Sequence, residues 1–153
     1  MRTWLIQKFR GPYGQGHPPI WALAQALDQQ YSAAPWPAQA WPEINEHYEL
    51  AVVCPDKTNE VQAFGLVRIG AEQDLHLLNL TVHPAWRQQG LGEAILSAWQ
   101  EGSWASIYLE VDPHNAAAVG LYTKRGFKTL CVKKAFYADG RAAVAMQWAA
   151  PGG

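Results

Sequence analysis

Two apolar periodicities divide the chain into predicted strands and helices. Apolar runs and alternating apolar positions predict strands over residues 4–8, 48–54, 61–69, 75–82, 107–111, 128–134 and 142–148. Apolar residues at helical spacing predict helices over residues 20–31, 38–45, 93–100 and 116–125. Strands and helices are therefore interspersed along the whole chain.

The order of these elements predicts the fold class. Turn residues at positions 55–59 join the second and third strands into a hairpin, and Asp139 with Gly140 joins the last two. Between residues 75 and 111 the order is strand, helix, strand, and this crossover predicts one parallel pair. We therefore expect an α/β protein with a mixed, mostly antiparallel sheet.

The most informative stretch is the turn Arg87-Gln88-Gln89-Gly90-Leu91-Gly92, which follows a predicted strand and opens a predicted helix. Backbone N–H groups point outward at a helix start, and the helix dipole adds partial positive charge there. Glycine lets a ligand approach the backbone closely. The turn therefore predicts an anion site, and the expected anion is a pyrophosphate.

Two segments resemble the GCN5-related N-acetyltransferase (GNAT) family. Residues 80–92 match its acyl-CoA signature, R/Q-x-x-G-x-G/A after a strand, and residues 109–127 match its second half. The second half carries Leu109-Glu110-Val111, Asn115-Ala116-Ala117-Ala118, Leu121-Tyr122 and Gly126-Phe127. The resemblance implies the GNAT acyl-CoA N-acyltransferase fold, with the sheet splayed open at the parallel strand pair and acetyl-CoA in the gap.

Further segments resemble the RimI-type alanine N-acetyltransferases of ribosomal proteins. They are Ala34-Pro35-Trp36, Phe136-Tyr137, Asp139-Gly140 and Ala145-Met146. The resemblance then covers roughly residues 20–148. It implies direct transfer of an acetyl group to a protein N-terminus, with the N-terminal alanine of a small-subunit ribosomal protein as the acceptor.

The resemblance also implies which residues bind acetyl-CoA. Leu80, Thr81 and Val82 would lie along the pantetheine arm like an extra strand, with a backbone N–H near Val82 polarising the acetyl carbonyl. Asn115 caps the following helix and adds a contact to the cofactor. The set expected around the pyrophosphate is Arg87, Gln88, Gln89, Gly90, Leu91 and Gly92.

Two side chains are implied for catalysis. The resemblance implies that Glu110 is the general base for the acceptor ammonium. Without the resemblance, Glu110 would be interpreted as an ordinary carboxylate at the end of a strand. Tyr122 is the implied general acid for the leaving thiolate, although a lone Tyr is more often a core residue. An α-amine has a pKa of about 7.7–8.0, against about 10.4 for lysine, so a chain N-terminus is the easier acceptor to deprotonate. His83 is the fallback base if Glu110 faces away.

Composition limits the classes of protein to which the chain could belong. The chain has 153 residues, 49% hydrophobic and 16% charged, which suits one globular domain over residues 1–153. A net charge of −1 disfavours direct nucleic-acid binding, and no His or Cys spacing indicates a metal. No apolar run approaches the about 20 residues that span a bilayer. We expect a cytoplasmic protein without membrane partners, in which both Cys54 and Cys131 are buried thiols.

Alternatives remain open for the acceptor. The same fold could acetylate a lysine or a small amine, or the chain could be a CoA-binding module without catalysis. Two residues depart from the family pattern: Glu93 lies beside the expected pyrophosphate, and Asp112 stands where many RimI-type sequences carry Arg. A glycine-containing loop at residues 11–16 is expected on the acceptor side.

Overall fold

The computed structural model describes residues 5–16, 18–54 and 60–152. The strands are β1 (Leu5–Arg10), β2 (Tyr48–Cys54), β3 (Ala63–Ile69), β4 (Asp74–Val82), β5 (Ser106–Val111), β6 (Lys128–Lys133) and β7 (Ala143–Ala149). The helices are α1 (Pro18–Tyr31), α2 (Leu91–Gln100) and α3 (Ala116–Lys124). Trp4 and the predicted turn at 55–59 lie outside the described residues.

Most predicted elements form within two residues of their expected ends. The helix expected over residues 38–45 is instead a 3₁₀ helix, Ala38–Glu43, with Pro42 inside it. Proline lacks the N–H that a longer α-helix needs, which explains the short form. The helix α2 starts at Leu91, before the predicted Glu93, because Gly90 adopts the left-handed conformation at its N-cap.

The seven strands form one sheet in the order β1-β2-β3-β4-β5-β7-β6. The pair β4–β5 is parallel and every other neighbouring pair is antiparallel, as the strand–helix–strand order predicts. The strand β7 lies between β5 and β6, so β6 forms the edge of the sheet and the last strand of the chain is inside it. This mixed, mostly antiparallel sheet confirms the expected fold class.

The parallel pair separates halfway along β4. Its register runs from Asp74 opposite Ser106 to Leu77 opposite Leu109, and β4 then continues to Val82 without β5. An irregularity in the β3–β4 register skips Leu78 at this point. Because side chains alternate along a strand, one extra residue changes which face the following side chains occupy. The sheet is therefore splayed open where the two strands part.

Helices cover both faces of the sheet and bury two apolar clusters. On one face α2 and α3 bury Trp99, Ile95 and Phe127 against the central strands. On the other face α1 and the 3₁₀ helix bury Trp21 and Trp41. No helix in the described ranges is long and apolar enough to cross a membrane.

The cysteine prediction holds at one of the two positions. Cys54 is buried at the end of β2, as expected. Cys131 is exposed, so the prediction that both thiols are buried is wrong. It lies on β6, an edge strand that pairs only with β7 and whose residues are mostly exposed.

Candidate active site

A cleft opens between β4 and β5 beyond their last register pair. Its volume is about 870 Å³, within the range of about 300–1,000 Å³ that is usual for small-molecule sites. The turn after β4 and the helices α2 and α3 complete its walls. The sequence-predicted residues that line it are Leu80, Thr81, Val82, Arg87, Gln88, Gly90, Leu91, Gly92, Glu110, Asn115 and Tyr122. Gln89 is not among the lining residues.

Gly90 and Gly92 are small for different reasons. Gly90 has φ +82° and an added Cβ there meets open space, so the backbone conformation favours glycine. An added Cβ at Gly92 would meet Leu121 at 3.2 Å, so this glycine allows α2 to pack closely. As a glycine, the N-cap residue offers no side-chain acceptor to the amides of the first turn of α2. The helix start thus keeps the form of an anion site.

Glu93 is balanced by neighbouring cations. Its carboxylate pairs with Lys124 Nζ at 3.0 Å and Arg125 Nη1 at 3.4 Å. The hydrogen bond from Lys124, with help from Arg125, holds the pKa of Glu93 below its ordinary value despite some desolvation. The acid that departs from the family pattern therefore belongs to an ion-pair network between α2 and α3.

Glu110 is held by side chains from two other strands, His76 on β4 and Lys133 on β6. His76 Nε2 lies 2.6 Å from Oε1, and Lys133 Nζ lies 3.0 Å from Oε2. Burial raises the pKa of this carboxyl, but the two hydrogen bonds and their charges outweigh burial and leave the pKa below its ordinary value. The side chain is 9% exposed. Glu110 is therefore ionised at neutral pH although it is nearly buried.

Tyr122 and Asn115 approach the cleft from α3. Tyr122 is buried, with its ring centroid 5.5 Å from that of Phe127. Burial and the nearby Tyr137 raise the pKa of its phenol above the ordinary value. Asn115 accepts the Ala118 N–H through Oδ1 at 3.2 Å, so it caps α3 as expected. The phenol thus stays protonated and able to donate a hydrogen bond over the physiological pH range.

A second cavity of about 610 Å³ adjoins the first. Glu110, Tyr137 and Arg141 line both cavities. The residues that line the second cavity are Ala33, Ala34, Pro35, Trp36, His76, Leu77, Leu78, Glu110, Phe136, Tyr137, Ala138, Asp139 and Arg141. They come from four segments distant in sequence, and the sequence analysis did not assemble them.

Arg141 fixes the loop between β6 and β7 over these cavities. Its guanidinium pairs with Asp139 at 2.6 Å and with Asp112, and it stacks 4.7 Å from the centroid of Tyr137. The hydrogen bond from the His114 backbone N–H contributes most to keeping the pKa of Asp112 below its ordinary value. The His114 side chain and the Arg141 charge add to this effect, which outweighs desolvation. The acid at position 112, unlike an Arg, can therefore anchor this loop to the end of β5.

A buried carboxylate on α1 connects this helix to the 3₁₀ helix and to β4. Asp28 is fully buried and accepts hydrogen bonds from Asn79 Nδ2 at 2.6 Å, Trp36 N at 3.0 Å and Trp41 Nε1 at 3.1 Å. Asn79 Oδ1 in turn accepts the Thr81 hydroxyl at 2.7 Å. This network connects Trp36, beside the second cavity, to β4, beside the first.

Other candidates from the sequence do not line the two cavities. His83 lines neither cavity, and its Nδ1 accepts the Ala85 N–H at 3.0 Å. The loop at residues 11–16 packs against residues 44–48 and lines neither cavity, so its expected place on the acceptor side stays a prediction. Among the residues that the structure describes, His, Cys, Asp and Glu form no cluster of three suited to a metal ion.

His76 and Lys133 are the partners of Glu110 that the sequence analysis missed. One signal was present: His76 lies on the partly exposed face of β4, between the buried Leu75 and Leu77. Nothing local in the sequence links Lys133 to Glu110. Both become neighbours only through strand order, since β4 pairs with β5 and β7 places β6 nearby.

Comparisons with known proteins agree with this geometry. The family model described as Acetyltransferase (GNAT) family matches residues 18–127. The ribosomal protein bS18-alanine N-acetyltransferase of Escherichia coli strain K12 is 27% identical over 124 residues, covering 77% of this chain and 82% of that protein.

Solved structures share the fold. The ribosomal-protein-S18-alanine N-acetyltransferase from Escherichia coli superposes with a TM-score of 0.78 and 24% identity, covering 97% of each chain. NAA60 of Arabidopsis thaliana, solved in complex with acetyl-CoA, gives a TM-score of 0.76 and 14% identity, covering 96% of this chain and 98% of that one. At these identities the likeness demonstrates the fold alone.

Proposed function

The chain belongs to the GNAT acetyltransferase family, and on that premise we propose that it acetylates the N-terminal α-amine of a protein. The acetyl donor is acetyl-CoA, and the proposed acceptor is the N-terminal alanine of a small-subunit ribosomal protein. In this proposal Glu110 is the general base and Tyr122 is the general acid. The transfer is direct, within a complex of enzyme, donor and acceptor.

The first cavity fits acetyl-CoA. Amides at the start of α2, below the glycine N-cap, suit a pyrophosphate. Beyond Leu77, β4 no longer pairs with β5. Its free edge at Leu80, Thr81 and Val82 therefore suits the amides of a pantetheine arm. Arg87, Gln88, Gln89 and Asn115 are proposed contacts around the phosphates. Arg87 Nε also binds the Val82 carbonyl at 3.2 Å, which ties the turn to the strand.

One observation carries the proposal: Glu110 lies on the wall shared by the two cavities. A base for amide formation must reach the acceptor nitrogen while the donor carbonyl lies on the other side. Tyr122 lines the first cavity and not the second. The base is thus at the junction with the acceptor side, and the acid is on the donor side.

The proposed proton transfers follow from these positions. Acetyl-CoA supplies the thioester carbon on which the new bond to nitrogen forms as the bond to sulfur breaks. Glu110 accepts the proton that the acceptor ammonium loses, directly or through water. Tyr122 donates its hydroxyl proton to the departing sulfur, and the second proton that the nitrogen loses on becoming an amide restores the Tyr122 hydroxyl. A backbone N–H near Val82 would polarise the carbonyl oxygen.

Two observations support an N-terminal acceptor. Ala34, Pro35 and Trp36, part of the resemblance to the alanine N-acetyltransferases, line the second cavity. In addition, Glu110 has a lowered pKa and is therefore a weak base. A weak base suits an α-amine of pKa about 7.7–8.0 better than a lysine of about 10.4.

The proposal is tested with purified protein, acetyl-CoA carrying a labelled acetyl group, and three acceptors. The first is the alanine-first N-terminal peptide of a small-subunit ribosomal protein. The second is the same peptide with a blocked N-terminus and one internal lysine. The third is a polyamine. We expect labelled product by mass spectrometry on the first acceptor, and a loss of rate in Glu110→Gln of about 10²–10⁴-fold.

Two results would contradict it. Preferred labelling of the lysine peptide or the polyamine would assign a different acceptor to the same fold. An unchanged rate in Glu110→Gln would remove the base from its proposed role. The control is Glu101→Gln, because Glu101 is exposed after α2 and lines neither cavity.

A further inference from the structure

The two oxygens of Glu110 are bound from opposite sides. His76 on β4 approaches Oε1 at 2.6 Å, and Lys133 on β6 approaches Oε2 at 3.0 Å. Both donors also contact the Tyr108 ring. The Lys133 ammonium lies 5.2 Å from its centroid on a side chain that is 40% exposed, and the His76 ring packs edge-on against it with centroids 5.1 Å apart.

The sheet register puts His76 within reach of the carboxylate. His76 lies opposite Tyr108, one pair before β4 and β5 part. Tyr108 and Glu110 are two residues apart and so share one face of β5. The His76 ring therefore spans diagonally from β4 to Glu110 at the point where the sheet opens. It lines the second cavity but not the first, and 27% of it is exposed.

We infer that His76 is a positioning residue for the proposed base: its Nε2–H donates to Oε1 and holds the Glu110 carboxylate toward the acceptor side. This inference rests on the proposed function, since it assigns a partner to the same base. A histidine with one nitrogen on a carboxylate is held in one tautomer and one ring orientation. The carboxylate is fixed in turn, and a lone pair stays available to the acceptor amine.

Such a donor is needed because Glu110 is nearly buried. Burial by itself favours the neutral acid, which cannot accept the ammonium proton. Donors at both oxygens reverse this preference and keep the group ionised. Several other charged or titratable groups surround the pair. They are Tyr108 on β5, Lys133 on β6, Asp112 after β5, and Tyr137 and Arg141 in the loop before β7.

Two variants separate positioning from packing. His76→Gln keeps a side-chain N–H donor, whereas His76→Phe keeps a planar ring without a donor. Three quantities are measured in each: kcat and KM for the alanine-first peptide, the acetyl-CoA Kd by calorimetry, and the Glu110 pKa by ¹³C NMR of labelled glutamate. The Glu110 signal is assigned by its absence in Glu110→Gln. His47→Gln is the matched control, because His47 is exposed at 68%.

In His76→Phe we expect the Glu110 pKa to rise and kcat to fall by about 10- to 100-fold, the usual effect of losing a hydrogen bond to a charged group. The acetyl-CoA Kd should not change. His76→Gln should restore most of kcat and return the Glu110 pKa toward that of wild type. A purely structural role would not move the Glu110 titration in this way.

Two outcomes overturn the inference. In the first, His76→Phe keeps both the wild-type kcat and the wild-type Glu110 titration. In the second, His76→Gln is as slow as His76→Phe while the Glu110 pKa is unmoved in both. Failure of the proposed function is distinguishable, because it leaves Glu110→Gln fully active. An inactive Glu110→Gln beside a fully active His76→Phe rejects only the inference.

Discussion

The two cavities beside Glu110 are built in different ways. The first cavity, the proposed donor cavity, takes most of its wall from two long stretches, from β4 through the glycine turn into α2 and from β5 into α3. The second cavity, the proposed acceptor cavity, draws on residues 33–36, 76–78, 110, 136–139 and 141. A ligand site made mainly by two strand–turn–helix units depends largely on local geometry. A site made by four separate segments depends on how the whole chain packs.

Among the variants that test this comparison, loss of the proposed acid should have the largest effect, and that effect is on kcat. We expect Tyr122→Phe to lower kcat by about 10²–10⁴-fold while acceptor KM stays near wild type. Because the pKa of Tyr122 is raised by burial, wild-type kcat should not decline through phenol ionisation between about pH 8 and pH 10. Steady-state kinetics over that pH range measure both. A loss of acceptor affinity without a loss of kcat would instead place Tyr122 on the acceptor side.

The acceptor cavity is probed through Trp36, which lines it and not the donor cavity. Trp36→Ala should raise acceptor KM by about tenfold, the usual effect of truncating an aromatic anchor. The acetyl-CoA Kd should stay the same. Trp36→Phe is the matched control, since a smaller ring keeps part of the edge contacts to Trp41 and Tyr48. Equal losses of donor and acceptor binding would show that the cavities are not independent.

The donor cavity is probed through Gly90. Gly90→Ala should weaken acetyl-CoA binding by about tenfold, which corresponds to about 1.4 kcal/mol, because Ala resists the left-handed backbone. Gly14→Ala is the control: its φ is +84°, its surroundings are equally open, and it lines neither cavity. Both variants should lose about 1–2 kcal/mol of unfolding free energy. Calorimetry should find weaker cofactor binding in Gly90→Ala alone.

The smallest effect is expected at Glu93. Glu93→Gln removes a negative charge near the proposed pyrophosphate and releases Lys124 and Arg125 from their ion pairs. Acetyl-CoA should bind about two- to fivefold more tightly at low salt, as the size of helix-terminus charge effects suggests. The gain should shrink as salt screens the exposed charges. Weaker binding in Glu93→Gln would mean that the ion pairs hold the turn in its binding conformation.

The difference between the cavities also separates what the sequence predicted from what it did not. The glycine turn was predictable because its residues are adjacent, and a strand, a glycine and a helix start dictate one local geometry. Elements followed from apolar periodicity, and the single parallel pair followed from the strand–helix–strand order. Glu110 and Tyr122 were named through family resemblance, and both line the donor cleft. Their chemical roles remain predictions.

Tertiary structure alone decided the surroundings of those residues. His76 and Lys133 are 34 and 23 positions from Glu110 in the chain, and Asp28 is 51 positions from Asn79. No local pattern records such contacts, because they arise from strand order and from the point where β4 and β5 part. The sequence by itself determined the elements, the parallel pair and the glycine turn that opens α2. Packing determined which side chains hold Glu110, since the pKa of a group depends on neighbours that are close in space.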